Sequence, residues 1–187
     1  MEAVLKKEII VNKILCRLFA VLAFVILISL GAFVRISLPF TPVPITLQTL
    51  FVLLSAALLG SNLGIITQLT YIFLGMSGLP IFTGAGSGLF YLFGPTGGYI
   101  IGFVLAALFL GKFAKYATNL FFLFGLFCLA DLLLLCSGAI WLKVLLGYPL
   151  KKILFIGFIP FIPGDLLKAG VASFLYLKIK SRLREIL

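Results

Sequence analysis

The chain has 187 residues, of which 63% are hydrophobic and only 11% charged, with a formal net charge of +10 and no histidine. An ordinary soluble domain is about 45–50% apolar, so this composition excludes one and makes lipid the solvent. The missing histidine removes His-based nucleophilic catalysis and most zinc chemistry, and the basic residues gather at the ends of apolar runs rather than along a polar face, which excludes nucleic acid as a partner.

The first predicted helix covers 14–33. Its charge-free run from Leu18 to Val34 is too long for the apolar region of a signal peptide, so it is read as a retained span. The stretch "RISLPFTPVPITLQT" follows, and Pro39, Pro42 and Pro44 make it a loop. From Arg35 to Lys112 no residue is charged, and the 76 residues between them hold about three crossings at roughly 20 residues each. Helices are expected over 46–59 and 62–76. The connection "GLPIFTGAGSGLFYLFG" comes next, and its irregular backbone must face water or a protein cavity rather than lipid.

Helices over 95–110 and 116–142 follow. Pro149 to Ile159 reads as a short helix at the membrane rim. The last helix covers 163–178, opened by Pro163 at a first-turn position that tolerates proline. The expected fold class is therefore an all-α integral membrane protein with six transmembrane helices, and residues 1–187 form a single membrane domain. With the N-terminus inside, ten basic residues fall on the cytoplasmic side and four (Arg35, Lys143, Lys151, Lys152) outside. Both termini are accordingly expected in the cytoplasm.

Three polar side chains stand out within the apolar segments. Asp165 sits in the first turn of the last helix, where the helix dipole favours negative charge, and Lys168 follows on the same face. The two either seal the bundle as a structural pair or, with the exposed N–H groups of the helix start, form a seat for a small ligand carrying an acid and an amide-like head. Asp131 stands alone in the helix over 116–142. It is either a partner of Lys168 or a structural hydrogen-bonding group. Cys16, Cys128 and Cys136 lack metal-ligand spacing and are expected to be buried free thiols. "TGAGSG" lacks the flanking strand a dinucleotide-binding run requires, and the chain has no GxxxxGK[ST] motif of its own.

The ordered motifs "PVPITLQTL", "GLPIF" with its glycine-rich loop, "GPTGGY", "GAIWL" and "PGDLLKA" resemble those of the BioY family, the biotin-specific S components of energy-coupling-factor (ECF) transporters. The resemblance covers roughly Pro42 to Ala169. It implies an S-component fold in a prokaryotic plasma membrane and a multi-pass chain that is not an enzyme. It further implies biotin as the transported ligand rather than a cofactor, and docking on a transmembrane coupling protein driven by two cytoplasmic ATPases. The substrate-binding residues it implies are Asp165 and Lys168, with Gln48 and Tyr99 near the pocket. Some relatives carry a polar residue in the loop before "GPTGG" or just after its tyrosine, where this chain has "TGAGSG" and Ile100; Thr83 or Ser87 is expected to replace that contact. Small residues four apart on the first helix, which many S components use for docking, are nearest matched here by Cys16 and Ala20. An S component for another small vitamin, and a purely structural membrane subunit, remain the alternatives.

Overall fold

A computed structural model describes the backbone of residues 2–186 and the side chains of 13–181. The described chain is mostly helical. Helix α1 (Glu2–Phe33) is followed by two short strands, β1 (Arg35–Ile36) and β2 (Ile45–Thr46), then α2 (Gln48–Met76), α3 (Gly97–Phe113), α4 (Leu120–Leu146), α5 (Leu150–Gly157) and α6 (Ile162–Ile186). Single 3-10 turns at Leu89–Phe93, Ala114–Tyr116 and Ile159–Phe161 fill the joints. Five stretches among the described residues are helical, long and apolar enough to cross a membrane: Lys13–Phe33, Gln48–Met76, Gly97–Tyr116, Leu120–Leu146 and Leu150–Ser181.

The second of these is not one straight rod. Gly60 breaks α2 with φ 77° and ψ 176°, a backbone conformation essentially reserved for glycine. Beyond it the chain folds back on itself. A Cβ built on Gly64 would lie 3.1 Å from the Cα of Ala56, and Gln68 Nε2 donates to Ser55 Oγ at 2.9 Å. Residues eight apart in an unbroken helix would be about 12 Å apart, so the two limbs form a hairpin. The break expected between 59 and 62 is thus a tight reversal at Gly60.

Several expected boundaries shift, each for a local reason. The segment 35–49 is not only loop: β1 and β2 pair antiparallel across it, Arg35 opposite Thr46 and Ile36 opposite Ile45. Helix α4 starts at Leu120 rather than 116 because the side chain of Asn119 accepts from the N–H of Phe122 at 2.7 Å. It runs past 142 to Leu146, where Gly147 in the left-handed conformation (φ 64°) caps it. Helix α3 begins at Gly97 and α6 runs on to Ile186.

The core gathers where α2, α3 and α4 meet, around Leu53, Tyr71, Phe82, Phe127 and Leu134, all fully buried. Glycines set the closeness of α3 and α4. A Cβ on Gly98 would lie 2.1 Å from the Cβ of Trp141, one on Gly102 would lie 2.9 Å from the backbone of Leu134, and one on Gly138 would meet the Tyr99 ring at 2.3 Å. The outer surface is apolar as well, with Phe73, Phe121, Ile140 and Val144 standing exposed. The cysteines belong to this layer: Cys16 and Cys128 are half-buried and Cys136 is exposed, all three free, which corrects the expectation of buried thiols. A lipid-facing surface is as apolar as the core, so hydrophobicity alone does not separate the two.

Candidate functional site

One cavity draws on α2, α3, α4 and α6 and on the segments that join them. The segment before α2 contributes Val43, Pro44 and Thr46, and the start of α2 adds Gln48 and Thr49. The returning limb of α2 adds Tyr71, the glycine-rich connection adds Thr83, α3 and its approach add Thr96, Tyr99, Ile100 and Phe103, and α4 adds Leu134 and Leu135. Phe161 and the first turns of α6, with Asp165 and Lys168, complete it. The cavity itself is narrow, about 50 Å³. Four aromatic rings wall an interior whose polar groups are few and convergent, the usual build of a small-molecule site.

The polar floor is an ion pair. Lys168 Nζ donates to Asp165 Oδ1 at 2.7 Å, and the two side chains are only 12% and 4% exposed. Thr49 ties the pair to α2: Lys168 Nζ donates to its Oγ1 at 2.9 Å, and the same hydroxyl donates to Asp165 Oδ1 at 3.4 Å. Two of the three ammonium hydrogens are thereby used inside the protein, and the third remains for a ligand acceptor.

The upper wall is built around Gln48, 4% exposed. Its Nε2 donates to the Tyr71 hydroxyl at 2.7 Å, which in turn donates to the carbonyl of Ile81 at 3.1 Å. Its Oε1 accepts from Thr83 Oγ1 at 2.9 Å and from Thr46 Oγ1 at 3.4 Å. The Tyr91 hydroxyl donates to the carbonyl of Thr83 at 3.0 Å. Gln48 therefore fastens the glycine-rich connection and the β2 segment to α2. Tyr99 offers the cavity its ring, because its hydroxyl is engaged with the carbonyl of Gly157.

Of the expected site residues, Gln48, Thr83, Tyr99, Asp165 and Lys168 come together at this cavity, while Ser87 is exposed and does not line it. Gly86 pairs back onto Phe82 in an isolated bridge, and the chain then turns outward. Asp131 lies behind the cavity. It is 5% exposed, its Oδ1 has no hydrogen-bond partner, and it lines a membrane-facing groove between α4 and α6 that shares Leu135 and Asp165 with the cavity wall. The ion-pair partner of Lys168 is Asp165, not Asp131. Thr49 and Thr96 were not anticipated; the polar spacing of "ITLQT" was the available signal for Thr49. Among the described residues no cluster of His, Cys, Asp and Glu is suited to a metal ion.

Comparison with known proteins gives one consistent result. The family model described as the BioY family matches residues 6–185. A protein of Thermotoga maritima named biotin transporter BioY is 38% identical over 157 residues, covering 84% of this chain and 91% of the relative. A probable biotin transporter BioY of Pyrococcus horikoshii is 40% identical over 149 residues, covering 80% of this chain and 86% of the relative. Among solved structures, the S-component for biotin from an ECF-type ABC transporter superposes with a TM-score of 0.82 at 30% identity, covering 93% of each chain.

Proposed function

The chain belongs to the BioY family, and from that premise we propose that it is the biotin-binding S component of an ECF-type transporter. It is a multi-pass membrane protein, and the relatives it matches are transporters rather than enzymes. The observation that carries the reading is the buried Lys168–Asp165 pair, braced by Thr49, at the floor of a cavity walled by Tyr71, Tyr99, Phe103 and Phe161. Biotin has a ureido head with two N–H donors and a carbonyl, an apolar ring, and an acid tail. The carboxylate of Asp165 accepts the ureido N–H groups, the spare hydrogen of Lys168 meets a ligand oxygen, and the aromatic walls bury the apolar ring. Gln48 and Thr83 hold the glycine-rich connection over the ligand, and Tyr99 packs against it. No covalent step is involved.

In this reading the chain makes six passes, with the hairpin at Gly60 supplying two of them, and both termini face the cytoplasm. Docking on a transmembrane coupling protein with two ATPases supplies the energy. Isothermal titration of the detergent-purified protein with biotin, thiamine and riboflavin tests the ligand: saturable heat with biotin alone is the expected result. Binding of another vitamin in its place would transfer the site to that ligand. One observation favours a purely structural role: the Lys168–Asp165 pair is closed within the protein at 2.7 Å. That role predicts no heat with any of the three.

A further inference from the structure

The charge balance of the cavity leaves the acid end of the ligand without a partner at the floor. Lys168 is neutralised by Asp165 at 2.7 Å, so the floor is a polar group of zero net charge, suited to a neutral hydrogen-bonding head. A carboxylate placed there would face Asp165 at close range. The acid end must then point away from the floor, toward the part of the wall that Thr46 and Thr83 line.

One cation joins those two framing segments. Arg35 stands directly opposite Thr46 in the β1–β2 pair. Its guanidinium reaches across to the residue after Thr83: a Cβ built on Gly84 would lie 2.5 Å from Arg35 Nη1 and 3.3 Å from its Cζ. Gly84 has φ +76°, and only a residue without a side chain lets the guanidinium approach the backbone so closely. Thr46 and Thr83 both donate to Gln48 Oε1, so Arg35 is stationed over the same assembly that closes the cavity. Arg35 is exposed, and the carboxylate-bearing residues among the described side chains, Asp131 and Asp165, are both buried. The guanidinium therefore presents its donors to solvent and to whatever leaves the cavity, in the forked geometry that matches a carboxylate.

Resting on the biotin reading of this cavity, we infer that Arg35 receives the ligand carboxylate at the mouth and selects the free acid over its neutral derivatives. The test is a pair of ligands against a pair of variants. Biotin and biotin amide share the ureido head and ring and differ in the charge of the tail. The wild type binds biotin more tightly than the amide, by about fivefold, the scale of one partly exposed charged contact. Arg35→Gln weakens biotin by that factor, leaves the amide unchanged and brings the two ligands level. Arg35→Lys keeps part of the preference, since the charge remains and the fork is lost. Raising the salt concentration narrows the wild-type preference and leaves Arg35→Gln unaffected. An undiminished preference for biotin in Arg35→Gln overturns the inference. So does an equal loss for both ligands, which would make Arg35 only a support for the loop. A wild type that binds neither ligand overturns the biotin reading itself and this inference with it; tight binding without preference overturns this inference alone.

Discussion

The ammonium of Lys168 has a hydrogen left after Asp165 and Thr49 are satisfied, and that hydrogen makes a sharp prediction possible. A hydrogen bond to a charged group contributes roughly 1.5–3 kcal/mol, so Lys168→Ala weakens biotin binding about tenfold to a hundredfold by titration calorimetry. It also strands Asp165, whose side chain is 4% exposed, and breaking a buried pair this way costs about 3–5 kcal/mol of stability. A purely structural pair would show that loss of thermal stability with an unchanged affinity in the surviving folded protein. Thr49→Val removes the hydroxyl that braces the pair without removing a charge, and is expected to weaken binding about fivefold, in line with the roughly 1 kcal/mol of an uncharged hydrogen bond. Asp165 and Lys168 were legible in the sequence because polar groups in an apolar segment are costly and must be compensated, whereas Gln48 was reached only through the family resemblance. Thr49 was not, since a threonine on a helix costs little in lipid and can bond its own backbone. Ser87 misled for the opposite reason: the glycine-rich connection fixes its own path through positive-φ residues at Gly84, Ala85 and Gly88, which composition does not reveal.

At the scale of the elements, the site depends on how closely α3 and α4 approach. Tyr99 can lay its ring against the cavity because Gly138 opposite has no side chain. Gly138→Ala drives a methyl to within 2.3 Å of that ring, an overpacking that costs about 1–3 kcal/mol. The variant is expected to melt at a lower temperature in detergent and, by displacing Tyr99, to bind biotin more weakly. Gly125→Ala on the same helix is the control: nothing lies within 4 Å of the added Cβ, so the affinity should stay at the wild-type value and the melting temperature should hold or rise slightly, alanine being the better helix former. The helices themselves were readable from apolar runs and proline punctuation, and the gap expected between 59 and 62 coincides with the reversal at Gly60. The ends were less so. Asn119 and Gly147 are recognisable cap residues that the apolar run masked at both ends of α4, and a two-residue strand pair such as β1–β2 is too short for any periodicity to announce it.

For the molecule as a whole, the exposed apolar belt and the five long helical stretches make the bilayer the other half of the fold, and the proposed direction rests on the basic residues. Lys151 and Lys152 are exposed on the short helix α5, at the end of the bundle that also carries the start of α6. With both termini in the cytoplasm this end faces outward, so a cysteine at position 151 in a background lacking Cys16, Cys128 and Cys136 should react with a membrane-impermeant thiol reagent on intact cells. Reaction only after lysis would invert the topology. The same orientation bears on energy. The chain has no GxxxxGK[ST] run to cradle the phosphates of ATP, and binding to a cavity can equilibrate a ligand but cannot concentrate it. Any ligand held at the Lys168 floor by several kilocalories must be released on the other side at a matching cost, which an isolated S component has no means to meet. Reconstituted alone in liposomes loaded with ATP, the protein is therefore expected to bind labelled biotin without raising the internal concentration above the external one. Co-reconstitution with an ECF coupling protein and its ATPases should convert that binding into accumulation, abolished when ATP is replaced by a non-hydrolysable analogue. Accumulation by the chain alone would place the coupling inside this bundle and remove the need for the partners.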